Sequence, residues 1–201
     1  MPHPLVLASG SRYRRELLAR LGLPFGCDSP DIDETARPGE APAALAARLA
    51  REKALAVAAR HPLARVIGSD QVADCGGRLL GKPGSAENAR QQLRQASGRV
   101  VTFWTALALA SPSATPLREA VVRCDVHFRE LADDEIERYV AAEQPLDCAG
   151  SFKCEGLGII LFRKIVSDDP TALIGLPLIA LCDMLRAEGI ALPARARHGN
   201  D

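Results

Sequence analysis

The sequence has few lysines, no surplus of either charge and no long hydrophobic run. Only Lys53, Lys82, Lys153 and Lys164 occur, against twenty-one arginines, so each retained ammonium invites a reason. Twenty-five basic residues balance twenty-five acidic ones, for a formal net charge of zero. That balance argues against a general binder of nucleic-acid polymers or membrane surfaces, which carries a basic excess. No stretch of about eighteen apolar residues is present to span a bilayer. The longest apolar run, Val100 to Ala110, is interrupted by Thr102 and Thr105 and reads as a buried strand. Met1-Pro2-His3-Pro4 lacks the basic region of a secretory leader, and the apolar run behind it ends at Ser9 to Arg15, so a cytoplasmic chain is expected.

The six cysteines (Cys27, Cys75, Cys124, Cys148, Cys154, Cys182) form no C-x-x-C pair, and none has an arginine six positions later. Small buried thiols are therefore expected rather than zinc ligands or disulfides, and phosphatase chemistry of the C-x5-R type is excluded. The four histidines, His3, His61, His127 and His198, have no metal-ligand spacing.

At 201 residues the chain can bury a substantial core, as one large domain or two small lobes. Leu5-Val6-Leu7-Ala8 predicts a buried strand, and the turn Ser9-Gly10-Ser11 leads into a basic helix from Arg12 to Leu21. A strand over 25–28 and an acidic loop from Ser29 to Glu40 follow. Pro42 opens an Ala-rich helix to about Arg60. Arg65 to Ser69 reads as a strand that breaks into Asp70-Gln71, and Gly76-Gly77 as a hairpin turn. Ser85 caps a helix to about Gln95. Two β-type runs, 99–110 and 117–129, suggest an antiparallel hairpin. A helix over 133–143, a Gly-rich segment over 147–158, a strand over 159–162 and a last helix over 177–186 complete the order. The order predicts an α/β (mixed α+β) fold: a twisted mixed sheet flanked by helices. Residues 1–192 are expected to form a single domain and 193–201 a flexible tail.

Two phosphate-binding patterns fail on inspection. Gly76 to Pro83 approaches a P-loop, but Pro83 supplies neither the hydroxyl nor the N–H that the pattern needs. Gly156-Leu157-Gly158 is followed by Leu161 where a dinucleotide fingerprint needs Gly. A better phosphate site is Ser9-Gly10-Ser11-Arg12-Tyr13-Arg14-Arg15, with hydroxyls, a helix N-terminus and guanidinium groups together. Asp70, after Val66-Ile67-Gly68-Ser69, places a carboxylate where α/β sheets collect ligands, and Glu34 beside Asp33 offers a second. Such a pair suits a divalent metal or a water to be activated. Taken alone, each of these features equally fits a capped basic helix, a turn aspartate or a solvated acidic loop.

In order along the chain stand Leu7-Ala8-Ser9-Gly10-Ser11 with Arg14, Asp33-Glu34-Thr35, Arg51-Glu52-Lys53-Ala54, Gly68-Ser69-Asp70, Gly81-Lys82-Pro83 and Gly175-Leu176-Pro177. Together they resemble the Maf family of nucleoside triphosphate pyrophosphatases, over nearly the whole chain. The resemblance implies a Maf/ITPase-like fold of two lobes around a central cleft. It implies metal-dependent cleavage between the α and β phosphates, with magnesium or manganese as the divalent cation. At the matching positions Asp70 is the base, and Ser9, Arg14, Glu34, Lys53 and Lys82 form the polar shell. Glu34 and Asp70 are the metal carboxylates, Ser9, Ser11, Arg14, Lys53 and Lys82 bind the triphosphate, and Lys153 assists phosphate or base binding.

The runs Ile67 to Val72 and Cys148 to Gly156 are similar to the branch of that family that prefers 7-methyl-GTP. The dTTP/UTP branch more usually carries Thr at 71, Gln at 155 and Lys at 148. The branch's specificity positions fall on Tyr13, Gln71 and Glu155, although 13 is commonly Trp. N7-methylguanine is cationic, so the Tyr13 face can hold it by about 0.5–2 kcal/mol. Glu155 can accept from the guanine edge while offsetting that charge. The expected partner is thus a modified nucleoside triphosphate, with a homodimer left open. The alternatives are a pyrophosphatase for dTTP, UTP or other modified nucleotides, a general phosphatase that releases orthophosphate, and a non-catalytic regulator of cell division.

Overall fold

The computed structural model describes residues 4–112 and 114–193. The tail expected over 193–201 lies outside them except for Pro193, as do His3 and His198. The strands are β1 (Leu5–Leu7), β2 (Phe25–Cys27), β3 (Arg65–Cys75), β4 (Arg78–Leu80), β5 (Val100–Ser111), β6 (Ala114–Phe128) and β7 (Phe162–Ser167). The helices are α1 (Arg12–Ala19), α2 (Pro42–Ala58), α3 (Ala86–Ala96), α4 (Asp133–Glu143) and α5 (Leu178–Ala187). All seven strands join one sheet in the order β2-β1-β3-β5-β6-β7, with β4 on the end of β3. β1 is parallel to β2 and β3, and every other pairing is antiparallel. This is the mixed sheet that the element order predicted.

Side-chain size alternates across the sheet and sets how closely the helices approach. On one face β5 presents Ala106, Ala108 and Ala110, which pack with Ala46, Ala50 and Ala54 of α2. On the opposite face Leu7, Ile67, Leu107 and Leu109 pack with Leu17 and Leu18 of α1 and Leu181 and Leu185 of α5. Period-two alternation thus gives α2 a flat bed of methyl groups and gives α1 and α5 a bed of branched chains. A third core joins the far parts of β3, β5 and β6 to α3 and α4. Four of the five phenylalanines (Phe103, Phe128, Phe152, Phe162) meet there edge to face, with centroids 4.7 to 5.6 Å apart. The long strands serve both regions: Val66 and Ile67 of β3 belong to the first two cores, Ala73 and Cys75 to the third.

Three expectations are corrected. β3 does not break at Asp70 but continues to Cys75, with Asp70 opposite Ala106 and Gln71 opposite Thr105 on β5. The low strand propensity of aspartate yields because its carboxylate has a buried cation to meet. Residues 157–161 are a 3-10 turn rather than a strand, and β7 begins only at Phe162. The cause is a close approach: Gly158 N donates to Lys153 O at 3.0 Å, and a Cβ on Gly158 would stand 2.4 Å from that oxygen. Finally, only Cys75 and Cys124 are buried; Cys27 is exposed and Cys148, Cys154 and Cys182 are half-buried, all six as free thiols.

Candidate active site

The glycine before Ser69 decides where the central cation sits. A Cβ on Gly68 would lie 2.1 Å from the Ala50 carbonyl oxygen and 2.8 Å from the Ala54 methyl, so only glycine lets the α2 backbone touch β3. That contact carries Lys53, one residue before Ala54, over Asp70. Its Nζ stands 2.6 Å from Asp70 Oδ1 and 2.6 Å from Glu34 Oε1. Lys53 and Asp70 are 6% and 7% exposed, whereas the Glu34 side chain is 60% exposed. The ammonium is therefore deep and doubly compensated, and the acidic loop reaches inward to close the pair. Removing one partner of such a buried pair costs about 3–5 kcal/mol, because the other charge is left without compensation.

Next to this pair, the turn after β1 brings Ser9, Ser11 and Arg14 together on the cavity wall. Ser9 is buried, and its Oγ accepts from Ser11 N at 3.1 Å and from Arg14 Nη1 at 3.4 Å. Ser11 caps α1, with its Oγ accepting from Arg14 N at 3.4 Å. Arg14 Nε donates to the Gly175 carbonyl at 2.9 Å. Gly175 has φ 122°, a backbone that favours glycine and that turns this carbonyl toward the guanidinium. Burial pulls Arg14 below its ordinary pKa, while Asp70 and Glu34 pull it back up; it remains a cation. Lys82 lines the same cavity from the exposed loop after β4 and meets no carboxylate among the described residues.

The cavity that these residues line measures about 800 Å³ and also holds the expected base-reading residues. The Tyr13 hydroxyl donates to Asp147 Oδ2 at 3.4 Å and receives the Cys148 thiol at 3.7 Å, while the Arg12 guanidinium lies 4.9 Å from the ring centroid. Burial, Cys148 and Asp147 push the Tyr13 hydroxyl pKa up, against the opposing pull of the Arg12 guanidinium. Burial likewise pushes the Cys148 thiol up to about 11, so it is neutral at pH 7. The Gln71 amide is fixed from one side: Nε2 donates to Ala172 O at 2.9 Å, Leu173 O at 3.0 Å and Thr105 Oγ1 at 3.0 Å. Glu155 is exposed on the cavity wall. Lys153 also lines the cavity, but its Nζ is held by the Glu143 carboxylate at 3.3 Å and the Glu143 carbonyl at 3.1 Å, at the end of α4. The structure thus gathers Ser9, Ser11, Tyr13, Arg14, Glu34, Lys53, Asp70, Gln71, Lys82, Lys153 and Glu155 around one cavity.

Residues 4–188 match the Maf-like protein family. The chain belongs to that family. It is 60% identical over 189 residues, 94% of this chain and 98% of the relative, to the 7-methyl-GTP pyrophosphatase of Xanthomonas campestris pv. campestris. It is 58% identical over 190 residues, 94% and 99% of the two chains, to that of Pseudomonas fluorescens. The 7-methyl-GTP pyrophosphatase of Pseudomonas aeruginosa is 57% identical over 189 residues, again 94% of this chain and 98% of its own.

For this Maf-like chain, the carboxylates fit a hard divalent cation in a particular way. Asp70 Oδ2 and Glu34 Oε2 have no hydrogen-bond partner among the described residues, and both side chains line the cavity. No cluster of three or more Asp, Glu, His or Cys side chains suited to a metal gathers among the described residues. Two carboxylates completed by substrate oxygens and water is how magnesium is commonly held at phosphate sites, unlike an all-protein cage.

Two supporting groups escaped the sequence reading. Arg48, five residues before Lys53 on α2, donates from Nε and Nη2 to Glu40 at 2.7 and 2.9 Å and from Nη2 to Thr35 O at 3.0 Å. That fork pulls Glu40 down to about 2 and ties the loop to α2 one residue beyond Glu34. Asp169, 2% exposed, organises the turn that carries Gly175. Neither shows in the apolar periodicity of its element: Arg48 reaches back to Thr35 and Glu40, and Asp169 reaches forward to Ile179.

Proposed function

We propose that this chain hydrolyses 7-methyl-GTP to 7-methyl-GMP and pyrophosphate. The observation that carries the reading is the buried Lys53 ammonium, 2.6 Å from both Asp70 and Glu34, in the wall of a cavity that also contains Tyr13 and Glu155. The printed names of the relatives from Xanthomonas and Pseudomonas support it. Ser9, Ser11, Arg14 and Lys82 bind the triphosphate, where guanidinium forks, hydroxyls and a helix N-terminus favour anions. Lys153, held by Glu143, borders the nucleotide and adds a cation to that wall. Glu34 and Asp70 would hold a divalent cation, magnesium or manganese, which when bound would offset phosphate charge. Asp70 takes a proton from the attacking water, whose oxygen joins the α-phosphorus as the bond to the α,β-bridging oxygen breaks and pyrophosphate leaves. Lys53, in contact with Asp70 and Glu34, orients both carboxylates.

In the same cavity, the Tyr13 ring and the Glu155 carboxylate select the cationic base, with Gln71 reading its edge. Arg12 occupies one face of Tyr13, which leaves the opposite face for the methylated purine. We further propose that residues 1–192 act as a single domain in the cytoplasm, where such nucleotides are handled, without engaging a nucleic-acid polymer or a membrane. No described helix is long and apolar enough to cross a bilayer.

The test is product release from 7-methyl-GTP, GTP, dTTP and UTP with magnesium and with manganese. The reading expects pyrophosphate, and highest kcat/KM on 7-methyl-GTP. Preference for dTTP or UTP would overturn the roles of Tyr13 and Glu155. Orthophosphate release would point to a phosphatase, and binding without turnover under either metal to a regulator.

A further inference from the structure

Asp169 is a buried carboxylate that faces no cation. It is 2% exposed, and no Lys, Arg or His forms an ion pair with it among the described residues. Its charge is met by dipoles instead. Oδ1 accepts from Thr171 N at 2.9 Å and from Thr171 Oγ1 at 2.6 Å, and Oδ2 accepts from Ile179 N at 2.7 Å in the first turn of α5. The helix has no cap of its own, since Pro177 precedes it without a side-chain hydrogen bond. Asp169 therefore caps α5 from ten residues away, satisfying an orphan N–H at the positive end of the helix dipole. Thr171 completes the closure: its Oγ1 accepts from Leu178 N at 2.8 Å and lies 2.9 Å from Leu176 O.

The chain enclosed by this closure, 172–175, points its carbonyls at the site. Ala172 O and Leu173 O receive Gln71 Nε2, and Ala172 O also receives Thr105 Oγ1 at 2.9 Å. Gly175 O receives Arg14 Nε at 2.9 Å and Ser69 Oγ at 3.1 Å. One short turn thus sets both the amide beside the base and the guanidinium beside the phosphates. Asp169 and Thr171 tie the flanks of that turn together, at Thr171 on one side and at Leu178 and Ile179 on the other.

We propose that Asp169 is a positioning residue for substrate selection: through the 172–175 turn it fixes the orientation of Gln71 and Arg14. The inference rests on the reading of this cavity as a nucleotide site with Gln71 toward the base. Asp169→Asn is the sharpest probe, because an amide presents a donor where the carboxylate faced three donors. The turn then shifts, and the Gln71 carboxamide with it.

The experiment measures kcat and KM for 7-methyl-GTP and for GTP well below the unfolding temperature, in the wild type, D169N, Q71A and the double variant. The Gln71 side-chain amide resonance, assigned by its loss in Q71A, is followed by NMR without substrate. D169N is expected to lower the 7-methyl-GTP preference over GTP about fivefold or more, and to move the Gln71 resonance. In the Q71A background the same substitution is expected to change that preference less than twofold, since residues acting through one another are not additive. If D169N lowers only the melting temperature, with preference and resonance unchanged, the proposal is overturned. Should D169N fail to fold, T171V, which keeps the carboxylate and removes the bridging hydroxyl, must show the same direction of change; a folded T171V with unaltered preference and resonance also overturns it. Failure of the underlying reading looks different, because the wild-type enzyme itself would then release no pyrophosphate from 7-methyl-GTP.

Discussion

Where Lys53, Asp70 and Arg14 meet, each side chain stands on a helix or strand whose place is set by backbone contact; where Tyr13 meets Asp147 and Cys148, the opposite wall is a chain of turns. The first end is fixed by Gly68 under α2, by the β3–β5 ladder around Asp70 and by the Ser11 cap of α1. The second depends on the segment 147–158. There Gly150 and Ser151 both adopt left-handed backbone, φ 76° and 62°, and the Ser151 hydroxyl bonds Gln92 at 2.6 Å. A non-glycine residue in that region costs about 1–3 kcal/mol, so the surrounding contacts have to impose it. The difference teaches a division of labour. On the proposed reading, bond cleavage uses charges held at one spacing by helix and strand, and choice of base draws on a wall built from turns.

The division is broken most directly at Asp70. Asp70→Asn keeps the size and a hydrogen bond to Lys53 but removes the base, so kcat should fall by about 10²–10⁴-fold, the range for a general base, with the fold retained on circular dichroism. Full turnover in that variant would leave the rigid end without its central role. Gly68→Ala tests what positions the charges. Its Cβ forces α2 off the sheet, at a cost of about 1–3 kcal/mol in stability, and lengthens the Lys53–Asp70 contact. Both the melting temperature and kcat should drop, and a normal kcat would show that the close approach is only packing. Glu155→Gln, at the pliable end, should have the smallest effect: the preference for 7-methyl-GTP over GTP falls about fivefold, on the order of 1 kcal/mol, with GTP turnover and stability unchanged. A uniform loss on both nucleotides would erase the distinction between the two ends.

The rigid end was legible in the sequence because its signals are local. Ser9-Gly10-Ser11 with Arg14 spells a cap and a cradle, and Lys53 stands out where lysine is scarce. The position of Asp70 along its strand was misread, since the polar pair Asp70-Gln71 imitates a strand end while tertiary partners keep the strand going. At the pliable end the residue types were legible but their partners were not. Lys153 meets Glu143, Tyr13 meets Asp147 and Cys148, and the 159–161 run winds into a turn because Gly158 lies on the Lys153 backbone. Arg48 and Asp169 act over distances that periodicity does not encode.

The central claim is that water attacks the α-phosphorus of 7-methyl-GTP at Asp70. It is tested by one turnover experiment in ¹⁸O-labelled water, with the products resolved by mass spectrometry. The account predicts a single ¹⁸O in 7-methyl-GMP and none in pyrophosphate. Label in pyrophosphate, or labelled orthophosphate, would contradict it.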